Sequence, residues 1–349
     1  MIDPVVPLFG LATTVGPLPF SDPSDAVEFA LRAHERFPTV PVLSDPAQGL
    51  LAQAVDGLTG VGVATDGTTG LVLAGGASAL ESVDGAAAGA DVSSPVFGTL
   101  HQMLGAVAGL APAPVALRVG VLGPVTLALA LRSAGVPDPL ARELAAATVT
   151  ARSTAIVRAA RAAAPATPMA VVLSEPGLVG CIHPTFPFGR DQVRTSMLDP
   201  VVDALDGLSD DDQPVTIGLH VPGRTDWDML ISSGVSLISL PADPEAAVWS
   251  SSIGRLIAAG GSIAWGAVPV DRPLGTSTES LWKRLAACWA ALSAEGIDPM
   301  ELRLHSVVST VDGLAHFDAA GAGRVVDLCT ALSSRLRRQS MAARLSLGA

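Results

Sequence analysis

Short runs of apolar residues recur along the chain, and segments with helical periodicity separate them. Continuous apolar runs, rather than alternating ones, are typical of strands buried on both faces, as in parallel sheets. The predicted strands are residues 11–15, 39–44, 116–122, 168–174, 215–220, 235–240, 262–268 and 302–309. Gly234 and Gly260 follow two of the helical segments as stop signals. The pattern predicts an α/β fold in which residues 1–349 form a single (β/α)8 TIM barrel.

Two features of the alternation of predicted strands and helices bear on this prediction. An open, doubly wound sheet has the same strand–helix alternation, but no glycine-rich phosphate motif follows the first predicted strand, which favours the closed barrel. Residues 47–115 interrupt the alternation and are predicted to be an insertion between strands 2 and 3. Two apolar stretches around Asp66-Gly67 predict a β-hairpin inside this insertion.

Composition narrows the class of protein. Apolar residues make up 49% of the chain and charged residues 15%, which supplies a large core. The net charge of -12, an aromatic content of 4% and the absence of Tyr argue against nucleic-acid binding. Cys181, Cys288 and Cys329 form no CxxC pair, which fits a reducing compartment. Without signal-peptide or membrane-span patterns, we expect a cytoplasmic protein with a small-molecule ligand, no membrane association and, as an open alternative, a protein partner.

Polar residues follow most of the predicted strands. In a barrel these positions meet at one rim, where the chemistry of such folds is located. The rim positions are Thr14, Asp45, Thr126, Glu175, His220, Asp271 and Asp312, and His183 lies in a loop nearby. Asp45 and Asp271 are better explained as helix caps, whereas Glu175 and His220 indicate a site.

The motifs around these positions resemble a known family. TTVGPLP (13–19), LRVGVLGPVTL (117–127), LSEPGL (173–178), IGLH (217–220), WGAVPVDRP (265–273) and STVDGL (309–314) occur in the order and spacing of the cobalamin-independent methionine synthase C-terminal domain. That domain belongs to the barrel superfamily that includes uroporphyrinogen decarboxylase. The resemblance spans most of the chain and implies a (β/α)8 barrel with a zinc ion that binds a thiol substrate as its thiolate.

The implied zinc ligands are mostly absent from this chain. The family's histidine corresponds to His220, but its first cysteine position is Pro222 and its last is Asp312. The acidic ligand falls near Leu240 or Pro241. Since a thiolate-rich tetrahedral site needs four ligands, or three and the substrate, the count argues against zinc and leaves His220 as the one candidate metal ligand. Ser174 replaces an acidic residue that, in the family, contacts the amino group of the substrate.

The resemblance therefore implies a divergent methyltransferase of one-carbon metabolism that acts on a small molecule, with its zinc site lost or rebuilt. His220 is expected to be a general base or lone metal ligand, with Glu175 and Asp312 as further catalytic residues. Thr14, Ser174, Thr126, Asp271 and His183 are the predicted substrate-binding residues. A non-catalytic paralogue that binds a small molecule or a protein is the alternative. A decarboxylase-type enzyme is the third hypothesis.

Overall fold

One parallel sheet organises the protein. The computed structural model describes residues 6–64, 70–210, 212–270 and 276–347. Within these ranges the parallel strands lie side by side in chain order, and a separate antiparallel pair lies in the insertion. The antiparallel pair is β1 (Val61–Val63) and β2 (Leu71–Leu73), and the parallel strands are β3 (Leu117–Leu122), β4 (Met169–Ser174), β5 (Val215–His220), β6 (Leu237–Pro241), β7 (Ser262–Val268) and β8 (Ser306–Thr310).

Helices pack on one face of this sheet, here called the outer face, and connect its strands. The opposite face is called the inner face. They are α1 (Pro23–Ala33), α2 (Leu50–Val55), α3 (Gly85–Gly89), α4 (Gly98–Ala108), α5 (Pro124–Ser133), α6 (Asp138–Ala163), α7 (Asp199–Asp206), α8 (Trp227–Ile231), α9 (Ser250–Ala258), α10 (Thr278–Ala294), α11 (Pro299–Leu304) and α12 (Ala319–Leu347). A π-helical segment, Gln192–Leu198, leads into α7. Among the described helices, none combines the length and the apolar character that a membrane crossing requires.

The prediction of a closed, eight-stranded barrel is wrong. In the described residues the parallel sheet has six strands, from β3 to β8. In the described residues, the predicted strands 11–15 and 39–44 lie along its two edges and pair with it only through isolated bridges, Ala12 with Val308 and Thr39 with Arg118. A further isolated bridge joins Pro17 and Val42. The two edge strands are thus covered by extended chain that does not continue the ladder.

Prolines and glycines explain why these two segments are not strands. Pro38 and Pro41 have no backbone N–H, so residues 39–44 cannot build a continuous ladder. Gly10 and Gly16 flank residues 11–15 with φ of 63° and 67°, and these positive angles turn the chain out of the extended conformation at both ends. Apolar content alone predicted strands here, but backbone geometry limits the pairing.

The last strand also begins later than predicted. Residues 302–304 belong to α11, which Asp298 caps by accepting a hydrogen bond of 2.6 Å from the N–H of Met300. His305 follows the helix, and its Nδ1 lies 2.6 Å from the carbonyl oxygen of Gly261. It is therefore a residue with satisfied polar contacts outside β8.

The insertion, residues 47–115, is tied to the outer face of the fold. Its β1–β2 pair lies where the sequence predicts a hairpin, while the predicted turn Asp66-Gly67 falls outside the described residues. Arg152 on α6 is buried and donates to the backbone carbonyls of Asp56, Ala88 and Asp91. These bonds anchor the insertion to α6.

The two faces of the sheet differ in character. The outer face packs on the helices in the main apolar core. The inner face carries a second, smaller apolar cluster that includes Ala170, Val172, Leu237 and Val307. Toward the carboxyl ends of the strands this cluster gives way to polar side chains, and these form the candidate site.

Candidate functional site

Three polar residues share the inner face at the carboxyl ends of adjacent strands. Ser174 on β4 pairs in register with His220 on β5, which pairs with Ser239 on β6. Because residues directly opposite each other in register point to the same face, the three side chains form one row. His220 is 3% exposed, and its Nδ1 lies 2.9 Å from the Oγ of Ser239. Its other ring nitrogen, Nε2, is buried and has no hydrogen-bond partner in the described residues.

Arg118 lies beside this row and was missed by the sequence analysis. It occupies the second position of β3 and is 2% exposed. One guanidinium nitrogen, Nη1, donates to the carbonyl oxygen of Thr14 at 3.2 Å, while Nε has no partner. In the described ranges no carboxylate forms an ion pair with Arg118. The one signal in the sequence was a charged residue inside the apolar run ALRVGVL.

A small cavity connects Arg118 and His220. Its volume is about 20 Å³, which is room for one water-sized group. Besides these two side chains, its lining includes Ser174 on the sheet side and Val15 and Leu50 on the other. The two unpartnered ring and guanidinium nitrogens therefore belong to residues that line the same enclosed space.

Threonines hold the segments that cover this cavity. The hydroxyl of Thr39 lies 2.8 Å from that of Thr13 and donates to the carbonyl oxygen of Thr14 at 2.9 Å. The backbone of Thr14, rather than its side chain, thus accepts both the Arg118 and the Thr39 bonds. Thr14 was predicted to bind substrate, and the structure places its carbonyl group against Arg118 and Thr39, which both line the cavity.

Burial determines the charge state of both site residues. Burial, assisted by the nearby Arg118 cation, lowers the pKa of His220 to about 3, against a smaller opposing effect of the backbone of Ser239. The imidazole is therefore neutral near pH 7. Burial also lowers the pKa of Arg118 to about 10, which still leaves the guanidinium charged. The site thus holds one cation and one neutral imidazole.

Glu175 serves the opposite face of the sheet. It follows Ser174, so its side chain points toward α5 and away from the inner face. Its Oε1 accepts from the N–H of Val125 at 2.9 Å, and its Oε2 accepts from the N–H and the hydroxyl of Thr126 at 2.7 Å and 2.5 Å. These N–H groups are free donors of the first helical turn, so Glu175 caps α5 from a neighbouring strand.

Gly123 makes this arrangement possible. As the N-cap of α5 it contributes no capping side chain of its own. A Cβ atom at Gly123 would lie 2.2 Å from the Cδ of Glu175, so only glycine admits the carboxylate. Burial raises the pKa of Glu175 to about 7, while the three accepted hydrogen bonds act in the opposite direction. Thr126, predicted to bind substrate, is here the hydroxyl partner of this buried carboxylate.

Two further predicted site residues, Asp312 and His183, do not line the cavity. Asp312 is exposed, and its Oδ1 accepts from the N–H of Gly313 at 2.7 Å. His183 is exposed on the loop after β4, with its Nδ1 2.7 Å from the hydroxyl of Thr185. Asp271 lies outside the described residues. Of the predicted residues, the structure thus brings together His220, Ser174 and the backbone of Thr14.

The side chains around His220 do not fit the zinc site that the family resemblance implies. In the described part of the chain, no group of three His, Cys, Asp or Glu side chains is placed to hold a metal ion. The neighbours of His220 are instead the hydroxyl of Ser239 and the cation of Arg118. The guanidinium of Arg118, as a nearby cation, would repel Zn²⁺. Cys181 lies on the loop after β4, and the contact of its Sγ is with the hydroxyl of Thr225, at 3.3 Å.

Comparisons with known proteins give no family. No protein-family model matches the chain, and no curated protein matches it. Among solved structures, the chain is similar to a variant of Rhizobium etli pyruvate carboxylase determined with the allosteric activator acetyl coenzyme-A, at 13% identity and a TM-score of 0.26. The match covers 85% of this chain and 32% of that one. A similarity at this level carries no argument about fold or function.

Proposed function

We propose that this protein binds a small carboxylic acid through Arg118 and His220 at the carboxyl end of its parallel sheet. The observation that carries the proposal is the buried guanidinium of Arg118, which lacks a carboxylate partner in the described residues and shares a cavity with the unpartnered Nε2 of His220. A buried cation without a counter-charge costs several kcal/mol. A bound carboxylate offsets that cost.

The chemistry of the cavity favours a carboxylate over a neutral ligand. The free Nε–H of Arg118 is a charge-assisted donor, and such bonds to carboxylates are stronger than neutral ones. The neutral His220 contributes a second donor when its proton is on Nε2, in which case Nδ1 accepts from the hydroxyl of Ser239. One charged and one neutral donor, on residues that line the same cavity, suit the two oxygens of a carboxyl group.

The size of the cavity defines how a ligand enters. About 20 Å³ is room for one water-sized group, and a carboxylate group needs more space than that. A ligand therefore displaces part of the cover, which includes Val15, Gly16 and Leu50. Ligands whose body is small are expected to bind with the least rearrangement.

The alternative hypotheses from the sequence stay predictions. Methyl transfer through a thiolate-bound zinc ion finds no matching ligand set around His220, and Glu175 is engaged in capping α5. The proposal is closer to the small-molecule binding role that was the alternative. It requires no catalytic step, since a neutral imidazole and a guanidinium are sufficient for recognition.

Thermal unfolding with a panel of small acids tests this function. Acetate, glycolate, pyruvate and succinate are titrated against the wild type, with chloride at equal ionic strength as the reference. At least one acid should raise the unfolding temperature saturably, since a ligand at 100 times its Kd stabilises the folded state by about 2.7 kcal/mol. Isothermal titration calorimetry then measures the affinity.

Arg118→Met is the decisive variant. It removes the buried charge but keeps an apolar side chain of similar length, and the carbonyl of Thr14 retains its bond from Thr39. We expect this variant to fold and to lose the response to the acid. Arg158→Met, at an exposed position on α6, should respond like the wild type. Equal responses of Arg118→Met and the wild type, or the absence of saturable binding by every acid, would refute the proposal.

A further inference from the structure

A second polar cavity lies at the opposite, amino end of the sheet. Its volume is about 290 Å³, and it separates the end of α1 from α12. Arg32, His34, Arg36 and Arg337 line it. Two backbone hydrogen bonds locate the cavity at this end of the sheet. The carbonyl of Arg36 accepts from the N–H of Val115, just before β3. The N–H of Gly10 donates to the carbonyl of Ser306, the first residue of β8.

The charges around this cavity are mostly unbalanced. In the described residues neither Arg36 nor Arg337 forms an ion pair, and the exposed Arg32 pairs with Glu28 on its own helix. Glu35 is the acidic residue among those that line the cavity. Arg337 donates to the carbonyl of Gly10 at 3.1 Å, so its side chain is held in place. In a protein with a net charge of -12, this cluster is a local region of positive potential.

His34 provides a second, independent indication of a ligand. Its side chain is 6% exposed, and its Nε2 has no hydrogen-bond partner in the described residues. Burial lowers the pKa of His34 to about 4, so the imidazole is neutral near pH 7. A buried polar atom without a partner is costly, and a ligand in the adjoining cavity offers one.

We propose that this cavity binds a phosphate dianion, either inorganic phosphate or the phosphoryl group of a small phosphomonoester, between Arg36, Arg337 and His34. Guanidinium groups match phosphate oxygens in geometry, and a dianion is held more strongly by several cations than a monoanion is. The volume admits a phosphate with its first hydration waters or a short ester group. This site is separate from Arg118 and His220, so either proposal can fail without the other.

Calorimetric titration of the full chain at low ionic strength tests the phosphate site. Inorganic phosphate, phenyl phosphate and chloride are the probes, and a short single-stranded oligonucleotide is the polyanion control. We expect saturable binding of inorganic phosphate that weakens with added salt, and weaker binding of chloride. Tighter binding of phenyl phosphate than of inorganic phosphate would identify an ester as the natural form, and the reverse would identify the free ion.

Arg36→Gln is the primary variant because Arg36 is exposed and, among the described residues, its side chain forms no ion pair whose loss would disturb the fold. It should weaken phosphate binding roughly tenfold or more, as the loss of about 1.4 kcal/mol implies. Arg158→Gln, at an exposed position on α6, should bind phosphate like the wild type. Unsaturable binding, binding of the oligonucleotide alone, or an Arg36→Gln variant indistinguishable from Arg158→Gln would overturn the proposal.

Discussion

Glu175, directly after β4, and His220, at the end of β5, act on opposite faces of the sheet. The N–H of Glu175 donates to the carbonyl of His220 at 2.8 Å, so their backbones are in direct contact. The carboxylate of Glu175 nevertheless points to the first turn of α5, whereas the ring of His220 points to the inner cavity. Glu175 therefore has a structural role, whereas Ser174, the residue before it, belongs to the row of inner-face residues for which recognition is proposed.

Thr126→Val tests the capping role of Glu175. The substitution keeps the shape of the side chain but removes the hydroxyl that donates to Glu175 and accepts from the N–H of Gly177 at 3.1 Å. Because a buried carboxylate loses one of its three donors, the free energy of unfolding should fall by roughly 1–3 kcal/mol in urea denaturation. Thr150→Val, whose hydroxyl bonds only to the carbonyl of Ala146 in its own helix, should change stability much less. Equal losses in both variants would contradict the role.

Individual residues also show which parts of the candidate site could be predicted from the sequence. His220 was predicted because it is an ionisable residue at the end of an apolar run, and it does line the inner cavity. Arg118 was missed because it lies near the start of its strand, and only its length brings its guanidinium to the carboxyl end. The capping role of Glu175 was also not predictable. It depends on a close contact between its carboxylate and Gly123, which follows β3, and the sequence does not show this contact.

At the scale of elements, close backbone contacts decide which helices can pack. Gly85 and Gly89 on α3 face α6 so closely that a Cβ at Gly89 would lie 2.2 Å from the carbonyl oxygen of Thr148. The alternation of apolar runs predicted the insertion as a unit, and the short α3 within it was not predicted. Its alanine and glycine sequence has no helical stripe, and its helix exists because small residues admit α6.

Gly89→Ala measures the packing of α3 on α6. The added methyl group meets backbone atoms that cannot rotate away, so the insertion must shift, and we expect a loss of about 1–3 kcal/mol in the free energy of unfolding. Gly105→Ala on α4 is the matched control, since nothing lies within 4 Å of a Cβ there. That variant should gain about 0.5–1 kcal/mol from its lower entropy in the unfolded chain. A neutral Gly89→Ala variant in urea denaturation would show that α3 does not pack tightly.

At the scale of the whole molecule, the six parallel strands correspond to apolar runs that the sequence marks clearly. The closed barrel did not follow, because closure depends on a continuous hydrogen-bond ladder rather than on apolar content. Pro41 lacks the donor that such a ladder needs, and Gly16 turns the chain away from it. The positions of the isolated bridges, at Ala12 and Thr39, could not be read from the apolar pattern.

Buried ionisable groups couple the stability of the whole molecule to pH. Burial lowers the pKa of His34 to about 4 and that of His220 to about 3, from 6.5 in an exposed histidine. Below pH 6.5 the unfolded chain therefore binds protons that the folded chain excludes, and the free energy of unfolding falls as the pH falls. Glu175 acts in the opposite sense between about pH 7 and pH 4.5, because its raised pKa gives the folded chain the extra proton.

His220→Gln separates these contributions. The amide keeps a polar partner for the hydroxyl of Ser239 but does not titrate, so one source of acid sensitivity disappears. Urea denaturation between pH 7 and pH 4.5 should show a shallower fall of stability in the variant, by up to about 1.4 kcal/mol per pH unit below pH 6.5. His101→Gln, at an exposed position, should keep the wild-type slope. If His220→Gln and the wild type lose stability in parallel across this range, the imidazole of His220 is not held neutral by burial, and the charge state assigned to the inner site is incorrect.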